Sequence, residues 1–214
     1  MNTYKKWYDQ LVFLDLETSG ISAFNDKIIQ VGIVVLDSNF NKQVEYDTFI
    51  HHPGLVLSNT IVELTKITDE DLKTGISEEE LVNLLCDLFK DNTLILAYNA
   101  QFDLSFIYHL LRRYDKHLLF NYPDYLDVLT VYKSFAKYPH KLLNAIDYFH
   151  LSDKVINSHR ATDDTFAMVE VFKAMIENGI DTVSFINKFG YNPKYGISYQ
   201  RLPKLEYFAQ YYIK

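Results

Sequence analysis

Three groupings in the sequence carry side chains able to do chemistry together. Asp15-Leu16-Glu17 sets two carboxylates two positions apart, and on an extended strand such residues project to one face, with Leu14 and Leu16 on the other. Carboxylates held side by side repel unless something cationic lies between them. A hard divalent ion such as Mg²⁺ or Mn²⁺ is the natural neutraliser, because it takes oxygen ligands. The plainer alternative is an acidic strand end entering a turn at Thr18-Ser19-Gly20. Asn99-Ala100-Gln101-Phe102-Asp103 leaves an apolar run and opens a helical pattern. Asp103 falls in the first turn, where the helix dipole favours its charge, and capping by itself accounts for both Asn99 and Asp103. His159-Arg160-Ala161-Thr162-Asp163-Asp164 puts an imidazole five residues before a carboxylate at another helix start, where capping by Thr162 or Asp163 is the competing explanation.

These groups need strands and helices that end where the motifs begin. Residues 10–18 read as a strand, residues 27–37 as a second rich in Ile and Val, and residues 43–50 as an alternating third. Asp37-Ser38-Asn39 supplies turn chemistry, so the three form an antiparallel meander. Helical periodicity follows His52-Pro53-Gly54: short helices at 58–66 and from Thr68, then a clear one at 77–90. In the last, Ser77 and Glu80 form a capping box, and Leu81, Leu84, Leu85 and Leu88 make the apolar stripe. Residues 93–98 read as a fourth strand, 102–114 as a helix, and 125–131 as a fifth strand or its extension. Residues 141–149 and 162–178 read as helices, the latter closed by Gly179. The expectation is an α/β domain over residues 1–179, with a mixed five-stranded sheet flanked by helices, and a C-terminal extension over residues 180–214. Nine of the 35 residues in that extension are aromatic. A packing arm is favoured there over a nucleic-acid groove or a partner-binding strand, because Tyr commonly buries its ring and exposes its hydroxyl.

The chain of 214 residues is 48% hydrophobic and 23% charged, ordinary globular values that exclude disorder, collagen and coiled coil. No apolar run approaches the ~20 residues that span a bilayer. The polar stretch 1–10 leads into only four apolar residues, which is not a secretory segment. The single cysteine, Cys86, excludes an internal disulfide framework and a cysteine zinc site. A cytoplasmic protein without membrane association is expected. The net charge of −7 argues against a simple basic nucleic-acid binder. The charge is uneven: residues 180–214 hold five bases and two acids, leaving −10 on the first 179. Carboxylates gathered around metal ions would make such a body acidic.

A D-x-E on a first strand, N-x-x-x-D after a later strand and H-x-A-x-x-D opening a late helix resemble, in that order, the DEDDh family of 3′→5′ exonucleases. That family includes the proofreading subunits and domains of DNA polymerases. Residues 8–178 carry the resemblance, with DLETSG at 15–20, KIIQVG at 27–32 and ELTKITDEDL at 63–72 as smaller matches. Two positions depart from it: Tyr98 and Gln30 stand where the family often has His and Glu. The resemblance implies a ribonuclease H-like fold and two divalent ions, Mg²⁺ or Mn²⁺, held by Asp15, Glu17, Asp103 and Asp164. It implies His159 as general base, and its spacing selects Asp164 over Asp163. Thr18, Asn99 and Phe102 are the implied substrate contacts. The expected partner is nucleic acid at its 3′ ends, single-stranded DNA in preference to RNA, with a DNA polymerase subunit as a candidate second partner. Two rivals are an RNA 3′-exonuclease and a non-catalytic nucleic-acid-binding module on the same fold; the complete carboxylate set argues against the latter.

Overall fold

The structure is a computed structural model and describes residues 4–155 and 160–213. The expected meander forms from β1 (Gln10–Thr18), β2 (Ile28–Asp37) and β3 (Lys42–His51), each antiparallel to the next. Two short helices, α1 (Asn59–Thr65) and α2 (Asp69–Lys73), follow, capped by Ser58 and Thr68. A two-residue strand, β4 (Ile76–Ser77), then pairs parallel with β3 and leads into α3 (Glu78–Leu88). The predicted capping box is present: Ser77 Oγ accepts from the Glu80 amide, and the Glu80 carboxylate accepts from the Ser77 amide.

Beyond α3 the chain alternates. It runs through β5 (Thr93–Ala97), α4 (Ala100–Arg113), β6 (Asp124–Asp127), α5 (Val128–Lys133), α6 (Leu142–Tyr148) and α7 (Ala161–Glu177). The sheet order is β4-β3-β2-β1-β5-β6, with β1, β5 and β6 mutually parallel. The sheet is therefore mixed and flanked by helices, with six strands where five were expected. The additional strand, β4, is too short to leave a periodic signature. The stretch 125–131 is not one strand. Asp127 accepts hydrogen bonds from the Leu129 amide (3.2 Å) and the Thr130 hydroxyl (2.6 Å), and this N-cap turns the chain into α5 directly after β6.

Two hydrophobic layers hold the sheet. Val12, Leu14 and Leu16 of β1 join α3 and α4 on one face. Leu11 and Phe13 join the buried side of α7, including Met168 and Phe172, on the other. The period of two thus directs Asp15 and Glu17 toward the α7 side. Residues 180–213 run back over the body and end in a separate parallel pair, β7 (Lys188–Tyr191) and β8 (Glu206–Ala209). Phe189 and Leu202 are buried in the α3–α4 layer, and the Thr182 hydroxyl is 2.5 Å from that of Tyr4. Among the described residues no helix is long and apolar enough to cross a membrane.

Candidate active site

Asp15 and Glu17 leave the carboxyl end of β1, next to the end of β5; β1 turns there into the antiparallel β2, while β5 leads into α4. The β1–β2 register shifts between Glu17 and Thr18, with Ile29 as the extra residue of β2. Asp164 arrives from the first turn of α7. Asp15, Glu17 and Asp164 each offer a carboxylate oxygen, and the three oxygens lie within 4.8 Å of one another. Asp163 is only half-buried, whereas Asp164 is buried.

Asp103 comes from the opposite layer. Pairing of β1 with β5 ends at Phe13 and Leu96, so β1 outruns its neighbour. The Leu16 amide, between the two β1 carboxylates, donates instead to Asp103 Oδ1 at 3.1 Å. Asp103 is 3% exposed.

The charges are crowded. Burial, followed by the fields of Asp103, Asp164 and Glu17, pushes the Asp15 carboxyl well above the usual carboxylate range. Burial and Asp164 raise Glu17 to about 7, with Arg160 opposing. Burial also raises Asp103, against the hydrogen bonds it accepts and with Glu17 and Asp127 adding to the rise. Four converging carboxylates, of which Asp15, Glu17 and Asp103 resist ionisation by themselves, form an oxygen-only donor set, which suits a hard divalent cation.

Several residues outside the motifs orient them. A Cβ at Gly32 would collide with the Ala161 carbonyl and the Thr162 amide nitrogen, so α7 crosses β2 at a position without a side chain. The Thr165 hydroxyl donates to the Gly32 carbonyl there (3.1 Å). Gln30, two residues earlier on the same face, is buried, donates to Asp47 Oδ1 (2.7 Å) and accepts from the Ala161 amide (3.4 Å). The departure from Glu at this position thus falls on a bridge between β3 and the start of α7. Asp127 also accepts from the Ala100 amide (3.1 Å), the first of α4. The N-cap chemistry of Asp127 ahead of Thr130 was the available sequence signal for it. Tyr98 donates its hydroxyl to the His140 carbonyl (2.8 Å), anchoring the loop between α5 and α6.

Asn99 adopts a left-handed conformation (φ 65°, ψ 45°), makes no side-chain cap and faces the clefts on both sides of it. Capping therefore does not account for it. Phe102 packs its ring 5.0 Å from Phe106 and 5.9 Å from Tyr199 while lining one of those clefts. Thr18 is buried and donates to the Gly20 carbonyl (2.6 Å). His159 lies outside the described residues. His52 has Nε2 2.7 Å from the Ile28 carbonyl.

Comparison with known proteins gives this geometry a family context. The family model described as Exonuclease, of ribonuclease T type, matches residues 12–172. DNA polymerase III PolC-type of Caldanaerobacter subterraneus subsp. tengcongensis is 31% identical over 185 residues, covering 83% of this chain and 13% of the polymerase. The PolC-type polymerase of Clostridium perfringens is 29% identical over 198 residues, covering 91% of this chain and again 13% of the polymerase. The chain thus spans about an eighth of the length of these relatives. Among solved structures, the zinc-bound complex of Escherichia coli exonuclease I with single-stranded DNA superposes with a TM-score of 0.70 at 21% identity. The match covers 83% of this chain and 42% of that one, a likeness of fold.

Proposed function

The chain belongs to the DEDDh-type exonuclease family of the ribonuclease H-like superfamily, and from that membership we propose that it removes nucleotides one at a time from the 3′ ends of DNA, mainly single-stranded. The products are nucleoside 5′-monophosphates and a strand shortened by one residue. The observation that carries this reading is the gathering of the Asp15, Glu17 and Asp164 oxygens within 4.8 Å, with Asp103 tied to the strand between the first two.

In this reading Asp15, Glu17, Asp103 and Asp164 would hold two divalent ions, Mg²⁺ or Mn²⁺, which would supply Lewis-acid stabilisation of developing charge and a nucleophile available at neutral pH. His159, five positions before Asp164, accepts the proton of the attacking water; an imidazole suits this because its unperturbed pKa lies near neutrality. Water oxygen bonds to phosphorus, the bond to the 3′-oxygen breaks, and that oxygen leaves as the new 3′-hydroxyl after taking a proton. Thr18 offers its backbone amide to the terminal nucleotide, Asn99 bonds its sugar–phosphate, and Phe102 packs on its base. Stacking of this kind tolerates any base. The name of the PolC-type relatives, DNA polymerase III, supports DNA over RNA as the substrate and a DNA polymerase as the partner; a cytoplasmic setting is part of the same proposal.

A time course with 5′-labelled single-stranded DNA and matching RNA, in Mg²⁺, Mn²⁺ or EDTA, tests the proposal. The expected result is a metal-dependent ladder shortening from the 3′ end, faster on DNA, and abolished in a folded Asp15→Asn variant. Absence of cleavage by the folded, metal-supplied protein, or wild-type cleavage by Asp15→Asn, would overturn it. A faster ladder on RNA would transfer the activity to that polymer.

A further inference from the structure

The carboxylates open into a cleft of about 670 Å³ whose outer lining takes no part in the chemistry above. Asp15 and Asp164 share this cleft with Lys133, Lys141, Tyr138 and Tyr212. Tyr138 and Tyr212 are 67% and 43% exposed. Their rings stand 5.4 Å apart, and the Tyr212 ring is 5.4 Å from the His140 imidazole.

Two segments far apart in the chain build this wall. The loop from Ala136 to Lys141 is held by the Tyr98 hydroxyl on the His140 carbonyl, and by His140 Nε2, 3.0 Å from the Ala136 carbonyl. The C-terminal tail joins it through a parallel bridge between Lys137 and Ile213, which brings Tyr212 against the loop. The extension thus buries Phe189 and Leu202 but leaves Tyr212 beside the cleft.

Lys133 and Lys141 form no ion pair among the described residues, although the chain carries a net charge of −7. A cleft that joins carboxylates to unpaired ammonium groups and accessible aromatic rings fits a polymer that alternates anionic and planar aromatic groups. Single-stranded nucleic acid is such a polymer.

We propose that this wall binds the nucleotides upstream of the scissile bond, with Tyr138 and Tyr212 stacking on bases and Lys133 and Lys141 pairing with backbone phosphates. The inference rests on the exonuclease reading of the carboxylates. It makes the C-terminal tail part of the substrate groove.

The test uses the full chain and two substrates: a single-stranded DNA dodecamer, and the nitrophenyl ester of thymidine 5′-monophosphate, which has no upstream nucleotide. Hydrolysis of neither by the wild type would remove the exonuclease reading, and this proposal with it. Given hydrolysis of both, the Tyr138→Ala/Tyr212→Ala double variant should raise the ratio of dodecamer KM to ester KM about tenfold. Tyr212→Phe, which keeps the ring, should restore most of its share. Lys133→Gln/Lys141→Gln should reduce the slope of log affinity against log salt for the dodecamer by about 1.4, near 0.7 per phosphate contact. A double Tyr variant that melts with the wild type but leaves the KM ratio unchanged would overturn the proposal. So would a lowered dodecamer KM, which would make the tail an obstruction. Should the double variant fail to fold, Tyr212→Ala by itself and the lysine pair decide the matter by the same ratio and slope.

Discussion

Glu17 is where the crowding of the site can be weighed. Its pKa rises from 4.5 to about 7, first through burial and then through Asp164. Between those values the metal-free folded protein keeps a proton that the unfolded chain has released. Folded stability therefore falls as pH rises through this window, and the full penalty is in place above it. At about 1.36 kcal/mol per pH unit, the interval amounts to about 3.4 kcal/mol. Glu17 retains some contact with solvent, which reduces the working figure to about 2–3 kcal/mol. Glutamine keeps the shape and cannot ionise. In EDTA, Glu17→Gln should therefore exceed the wild type by about 2–3 kcal/mol near pH 8.5, and by nothing measurable near pH 4. For a domain of this size, the gain corresponds to a Tm higher by roughly 5–10 °C. Urea titrations across that pH range, analysed by linear extrapolation, read the difference directly. Saturating Mg²⁺ should then stabilise the wild type more than the variant, since only the wild type has the full ligand set. If wild type and variant follow parallel stability curves from pH 4 to 8.5, the penalty on ionised Glu17 inferred from its burial and from Asp164 is not there.

Three other outcomes are expected. Gly32→Ala must push the start of α7 off β2, so it should cost about 1–3 kcal/mol in stability and lower kcat about a hundredfold by displacing Asp164, measured on the folded fraction. His159→Ala should lower turnover by about 10²–10⁴-fold while leaving Mn²⁺ affinity by calorimetry near that of the wild type; unchanged turnover would remove it as the base. Deleting residues 180–214 strips Phe189 and Leu202 from the α3–α4 layer and Thr182 from Tyr4. Loss of a cooperative melting transition is expected, and a truncated chain that melts like the parent would identify the extension as dispensable.

A period of two and a helix start are local facts that made the candidate carboxylates legible one by one, while their grouping into one site was read from the resemblance of their order to the exonuclease family. Asp15 and Glu17 share a face by alternation, and Asp103 and Asp164 each fall in a first turn. The capping box of Ser77 and Glu80 was legible for the same reason. Residues 125–131 misled because Tyr125, Leu126, Val128 and Val131 are all buried in the core, and a continuous apolar run hides the change from strand to helix at Asp127. Gln30 and Gly32 could be seen as part of a strand but not as the floor beneath α7, since the helix that rests on them begins about 130 residues later. The route of the extension was beyond local reading too. Its parallel β7–β8 pair and the seat of Tyr212 depend on contacts with distant segments.

The bond from the Leu16 amide to Asp103 gives the molecule a built-in spectroscopic probe. That proton belongs to the backbone of β1 but is shared with the one site carboxylate contributed by the opposite layer. A hydrogen bond to an ionised acceptor is shorter and stronger than one to a neutral acceptor. The chemical shift of this single amide therefore follows the charge state of Asp103, and its exchange with solvent follows the seating of α4 against β1. Occupancy of the site and integrity of the junction that forms it can thus be observed at one resonance, with no substrate turned over.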